Sequence, residues 1–139
     1  MKYLPLIGRI CFSAMFIVAA PGHFTARYAG IAAQAGVPAA SLLVPLSGVL
    51  ALAGGLSVAL GYKAKLGALL LVVFLIPVTV TMHGFWAVAD PMMGQLQFAM
   101  FMKNLSMLGG ALLIMYFGAG PLSLDSRHIV SAPPINSGR

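Results

Sequence analysis

Four stretches of this chain stay apolar for long enough to cross a bilayer, and short polar or Pro/Gly-rich breaks separate them. At about 1.5 Å of rise per residue, roughly 20 apolar residues cover the hydrocarbon core. The pattern predicts helices over about 4–23, 41–61, 66–83 and 95–117, within a single domain spanning 1–139 that ends in a polar tail, 122–139. Pro5 fits a first turn, Pro21-Gly22 closes the first span, and Gly118-Ala119-Gly120-Pro121 stops the last. Between the first two spans, Ala29, Ala32, Ala33 and Val37 recur at near-helical spacing, predicting a short interfacial helix. Pro77 predicts a kink in the third span. The fold class is an all-α transmembrane four-helix bundle.

Small residues mark where such helices would touch. Ser47, Ala51, Gly55 and Ala59 follow one another at i+4 on the second span, and Gly109-Gly110 sits in the fourth. Lipid tails are as apolar as leucine, so close packing along small residues has to hold the helices together.

Composition agrees with the pattern. The chain is 60% hydrophobic and 7% charged, with no glutamate, whereas a soluble domain carries about 25% charged residues. The net charge of +6 comes from eight Lys and Arg spread over segments that flank the spans. They form no phosphate-tracking patch, so nucleic acid is excluded as a partner. With four spans, the N-terminus, the 62–65 turn and the tail share one side, which holds Lys2, Lys63, Lys65, Arg127 and Arg139. The other side holds Arg27 and Asp90. The positive-inside rule then places both termini in the cytoplasm, in a multi-pass protein of the inner (plasma) membrane. Lys2, an apolar stretch and Ala19-Ala20 imitate a signal peptide, but Arg9 interrupts the apolar core and the segment reads as a retained first helix. Cys11 stands alone and reads as a small buried hydrophobe.

The candidate chemistry lies at one depth. The first and third spans end, and the fourth begins, on the side away from the tail, so His23, His83, Trp86, Asp90, Lys103 and Asn104 fall near the outer leaflet. Lys103 is the anomaly: an ammonium about 10 Å inside the start of a membrane helix. Two readings stay open. In one, Lys103 snorkels to the headgroups or pairs with Asp90, and the histidines cap helix ends. In the other, His23, His83, Trp86, Lys103 and Asn104 line a pocket for the head of a quinone or lipid, with histidine and lysine donating to its carbonyls. The histidine spacing matches no metal motif, so no metal site is expected. Met92, Met93, Met100, Met102 and Met107 read as ordinary core filler. Arg9 either snorkels to phosphates or meets Asp125 or carbonyls of the tail.

At these residues the chain resembles the DoxX family of small four-helix membrane proteins. The matching pieces are Gly54-Gly55 with Leu60-Gly61, His83-Gly84-Phe85-Trp86, the run Lys103-Asn104-Leu105-Ser106-Met107-Leu108-Gly109-Gly110, and Gly118 through Asp125. Many members carry a glutamate in the second helix, where Ser47 stands here, and a lysine where His23 stands. The resemblance implies association with membrane redox complexes. On that basis the expected function is a quinone-linked, redox-associated membrane subunit with a quinone as its cofactor. The alternative is a non-catalytic accessory subunit that fastens other membrane subunits and lipids.

Overall fold

The computed structural model describes residues 1–130, so Arg139 and the end of the tail, 131–139, lie outside the described residues. Among the described residues there are helices and no strands. They are α1 (Leu4–Ala19), α2 (Ala26–Gln34), α3 (Ala40–Leu60), α4 (Ala64–Met82), α5 (Pro91–Phe117) and α6 (Leu124–Val130). Short 3-10 turns at Ala20–Phe24 and Phe85–Ala87 extend α1 and α4, and four of the helices are long and apolar enough to cross a membrane. The chain is a multi-pass membrane protein.

The outside of the bundle is its apolar side. Leu66, Leu69, Val73, Ile76 and Val80 are all exposed along α4, and Leu42, Leu46, Val49, Leu56 and Leu60 along α3. Steps of three and four residues make each set one stripe of a helix. A water-soluble bundle would turn these stripes inward, whereas hydrocarbon wets them at no cost.

Small residues sit on the inside. Gly54 of α3 lies so close to α4 that a Cβ on it would stand 2.8 Å from the Gly67 carbonyl oxygen and from Leu71. Gly55 and Gly48 face the other way. A Cβ on Gly55 would come within 3.2 Å of Ile17 and Phe16, and one on Gly48 within 2.6 Å of His23. α3 is therefore the central helix, with α1 on one flank and α4 on the other, and α5 packs on α4. Of the expected ridge, Ala51 is fully buried and Ala59 half-buried. Phe16, Ala51, Val58, Leu71, Phe74 and Ala111 form the core between the helices. α1 and α5 close the ring through side chains: Phe12 lies over Gly110, where a Cβ would be 2.9 Å from its ring. Gly109 faces open space, with no atom within 4 Å of a Cβ placed on it.

One boundary differs clearly from the sequence expectation. α5 starts at Pro91 rather than near 95, because Asp90 caps it through a 2.8 Å bond from the Met93 N–H to Oδ1 and Pro91 supplies the first turn. As expected for the third span, Pro77 lies inside a helix, α4, which continues on both sides of it. The segment that follows α5 is docked on the bundle, with Ala119 and Ser123 buried. The short helix between the first two spans is α2, capped by Thr25, and it buries Ala32 near Val44 and Ala40 of α3.

Candidate functional site

The two ends of the bundle carry different chemistry. At the end where α1 begins and α5 finishes, Arg9 is almost fully buried, at 3% exposure. Its Nη1 donates to the Ala119 carbonyl at 2.6 Å and its Nη2 to the Leu122 carbonyl at 2.9 Å. Arg9 thus neither snorkels to phosphate nor forms an ion pair with Asp125, because tail carbonyls take its donors. Asp125 has another task. Its two oxygens accept the Lys63 and Ala64 N–H groups at 2.7 and 3.0 Å, capping α4 from a segment sixty residues away, and its own N–H donates to the Gly61 carbonyl at 2.8 Å. Gly61, at φ 64°, admits this docking; a Cβ there would run into Ser123 and the Arg9 guanidinium. An open groove of about 610 Å³ lies beside this clasp between Lys63, Lys65, Phe117 and Ser126. Of its polar side chains, Asp125 is engaged on α4 and Ser126 with Ser123, while Lys63 and Lys65 line its rim.

The opposite end holds the candidate site. A cavity of about 110 Å³ lies among the spanning helices, lined by His23, Ala51, Phe74, His83, Asn104 and Met107, with Met15, Phe16, Ala19 and Val78 completing it. Each polar side chain reaches it from a different element. His23 comes from the 3-10 turn after α1, His83 from the C-cap of α4, and Asn104 from the middle of α5. Among the predicted site residues, the structure brings these three together.

Hydrogen bonds behind the rings fix both histidines. His23 Nδ1 is 2.9 Å from Ser47 Oγ, and Ser47 Oγ donates its one proton to the Val44 carbonyl at 2.7 Å. Ser47 Oγ is therefore the acceptor and His23 Nδ1 the donor. His83 Nδ1 lies 2.8 Å from Gln97 Oε1, again an acceptor. The His23 ring is wedged between Tyr28 and Phe74, each with its ring centroid 5.6 Å away. Asn104 is 95% buried, at 5% exposure, and no described residue pairs with its carboxamide. The fully enclosed side-chain polar atoms without a partner among the described residues are Arg9 Nε and Ser13 Oγ, whereas the Asn104 carboxamide keeps access to the cavity it lines.

Lys103 and Trp86 do not join the cavity. Successive residues of a helix point about 100° apart, so with Asn104 turned inward Lys103 is carried to the side. Its Nζ runs back one turn to 3.2 Å from Met100 Sδ, in the snorkelling direction. Asp90, its other candidate partner, is the α5 cap. Trp86 is 62% exposed and packs edge-on against Phe85 and Phe101. The residues that sequence reasoning missed are Gln97, which holds His83, and Ser47 in its role behind His23. Both are polar side chains in apolar spans, which was the available signal. Among the described residues no three of His, Cys, Asp and Glu converge.

No solved structure matches the chain. Comparison with protein families corrects the resemblance to DoxX: the family whose model matches is the SURF4 family, over residues 1–129. The Gly54-Gly55 pair and the Gly118–Asp125 stop that suggested DoxX are what a close helix crossing and a docked segment require, so small four-helix membrane proteins of different families can share them. With the match extending over nearly the whole described chain, this protein belongs to the SURF4 family.

Proposed function

We propose that this protein is a membrane-embedded binder of a single amphiphile, whose polar head enters the cavity between His23, His83 and Asn104. The observation that carries the reading is Asn104: a buried carboxamide with no partner, facing a cavity that two histidines also line. Buried polar groups in a membrane bundle are expensive, and a bound head that pairs them offsets that cost. The cavity is smaller than the engineered cavity of about 150 Å³ that takes up benzene. It fits a head group and its first carbons, and for a quinone one edge of the ring.

Access from the lipid supports an amphiphile over a water-borne solute. Met15 lines the cavity and is also 42% exposed on the bundle's outside, so the cavity reaches the lipid-facing surface beside a flexible side chain. It lies on the seam where α1 and α5 meet through side chains alone. The proposed orientation keeps the lysine-bearing tail end in the cytoplasm and places the histidine end in the outer leaflet. A redox role for the bound molecule drew on the DoxX resemblance and loses that support. The reading here is binding without turnover.

Native mass spectrometry of protein extracted in mild detergent tests this. The expected result is one retained amphiphile per chain, lost when Ala51→Phe fills the cavity. A chain carrying no bound molecule, or binding unaffected by Ala51→Phe in a folded protein, would overturn it.

A further inference from the structure

We infer that the groove at the clasped end is a binding site for an anionic phospholipid, whose phosphodiester is held between Lys63 and Lys65. This site lies at the opposite end of the bundle from the cavity and does not rest on the reading above. The groove, of about 610 Å³, opens between the start of α4 and the end of α5 and is lined by the segment that follows. It has room for a phosphodiester and its glycerol, since sites for small molecules hold roughly 300–1,000 Å³.

The two lysines are free to take an anion. Among the described residues neither amine has an acidic partner: Lys63 Nζ lies 5.7 Å from the centre of the Tyr62 ring, and Lys65 makes no hydrogen bond or ion pair. Asp125, the one acid in the lining, gives both carboxylate oxygens to the Lys63 and Ala64 N–H groups and has the buried Arg9 within electrostatic reach. The groove therefore presents an excess of positive charge. Nor is Lys63 there for its backbone. At φ 47° it stands in the left-handed region, which glycine or asparagine adopts at lower cost, and Asp125 supplies the helix cap that its own side chain does not. The Lys65 stem runs to the end of α5, where its Cε lies 3.4 Å from the place a Cβ on Gly118 would take.

The surroundings select a lipid over a water-borne phosphate. Leu66 and Phe117 line the groove and are exposed on the bundle's outside, so the groove is continuous with the surface that lipid covers. Phe117 packs edge-on against Tyr116, with ring centroids 4.8 Å apart, where α5 ends; aromatic side chains gather at this level, beside the head groups. In the proposed orientation this is the cytoplasmic leaflet, whose anionic lipids are drawn to lysines near the surface. A free phosphate would meet the same two amines and leave Leu66 and Phe117 uncovered.

The test is a lipid titration in neutral detergent, read by native mass spectrometry. Its probes are dioleoyl phosphatidylglycerol and dioleoyl phosphatidylcholine, which share their chains and differ in net charge. The wild type should bind the anionic lipid about tenfold more tightly, as two lysines at a membrane surface imply. The preference should persist in Ala51→Phe, which separates this site from the cavity. Lys63→Gln combined with Lys65→Gln should bring the two lipids to within about twofold. The clasp uses only the backbone of residue 63, so the double variant should keep its melting temperature. Lys2→Gln removes a lysine of the same end that lies outside the groove and should leave the preference as it is. Glycerol 3-phosphate, a head without chains, should not displace the lipid at equal concentration. Equal binding of the two lipids by the wild type, or a preference that survives in the double variant, would overturn the inference. So would an equal loss in Lys2→Gln, which means diffuse attraction, displacement by glycerol 3-phosphate, which makes free phosphate the ligand, or loss in Ala51→Phe, which puts the lipid in the cavity.

Discussion

Arg9 shows at the scale of one residue how a charge survives in this bundle. Its guanidinium sits in a membrane helix and takes two carbonyls of a segment more than a hundred residues away. Each charge-assisted bond contributes about 1.5–3 kcal/mol, so Arg9→Gln should lower stability by roughly 2–4 kcal/mol and release the 118–125 segment to proteases. Unchanged melting and unchanged proteolysis would show that the clasp holds nothing. Asp125→Ala removes a cap made by both carboxylate oxygens and should cost about 1–2 kcal/mol. Asp125→Asn should cost less, since its amide oxygen still accepts one N–H, and thermal unfolding in detergent would rank the two. The sequence offered carbonyls of the tail as one candidate partner of Arg9 but could not choose between them, Asp125 and lipid phosphate. The acceptors are backbone carbonyls, which carry no sequence signal, and Asp125 pairs with the N–H groups of a helix it does not belong to.

Among elements, the packing divides the glycines into two kinds. Gly54 has the Gly67 carbonyl directly beneath it, so Gly54→Ala forces α3 and α4 apart and should destabilise by about 1–3 kcal/mol. Gly109 faces open space on α5, and Gly109→Ala should leave stability level or raise it by up to about 1 kcal/mol through helix propensity alone. Equal effects of the two in a thermal-unfolding assay would contradict the assigned faces. The sequence marked Gly109 as a packing residue and left Gly54 out of the ridge, because spacing gives a ridge and says nothing of which way it points. The same ambiguity grouped Lys103 and Trp86 with the cavity, whose lining they do not join. Topology fixes depth along a span, whereas direction around the helix depends on neighbours. Existence and order of the spans were legible because hydrocarbon demands long apolar helices. Their ends were less so where a cap such as Asp90-Pro91 resembled a loop.

For the whole molecule, the structure joins a clasped end to a cavity-bearing end through an apolar core. The clasp fixes the segment after α5, and the opposite end gathers His23, His83 and Asn104 around the cavity. A SURF4-family chain with this build should sit with Lys63 and Lys65 in the cytoplasm and Ala89 outside. Cysteines introduced at these positions on a Cys11→Ser background should react with membrane-impermeant maleimide from opposite faces, and labelling from a single face would reject the topology.

The central claim is that Asn104 is kept for a ligand at the expense of the empty fold, and the thermal stability of Asn104→Leu tests it most directly. In protein stripped of bound molecules, the leucine replaces an unpaired buried amide with an apolar group of similar size, so the account predicts a melting temperature equal to or above the wild type. The same variant, purified without stripping, should carry no amphiphile. A stripped Asn104→Leu protein that melts well below the wild type while the unstripped form still retains its amphiphile would show that Asn104 serves the fold, and would contradict the account.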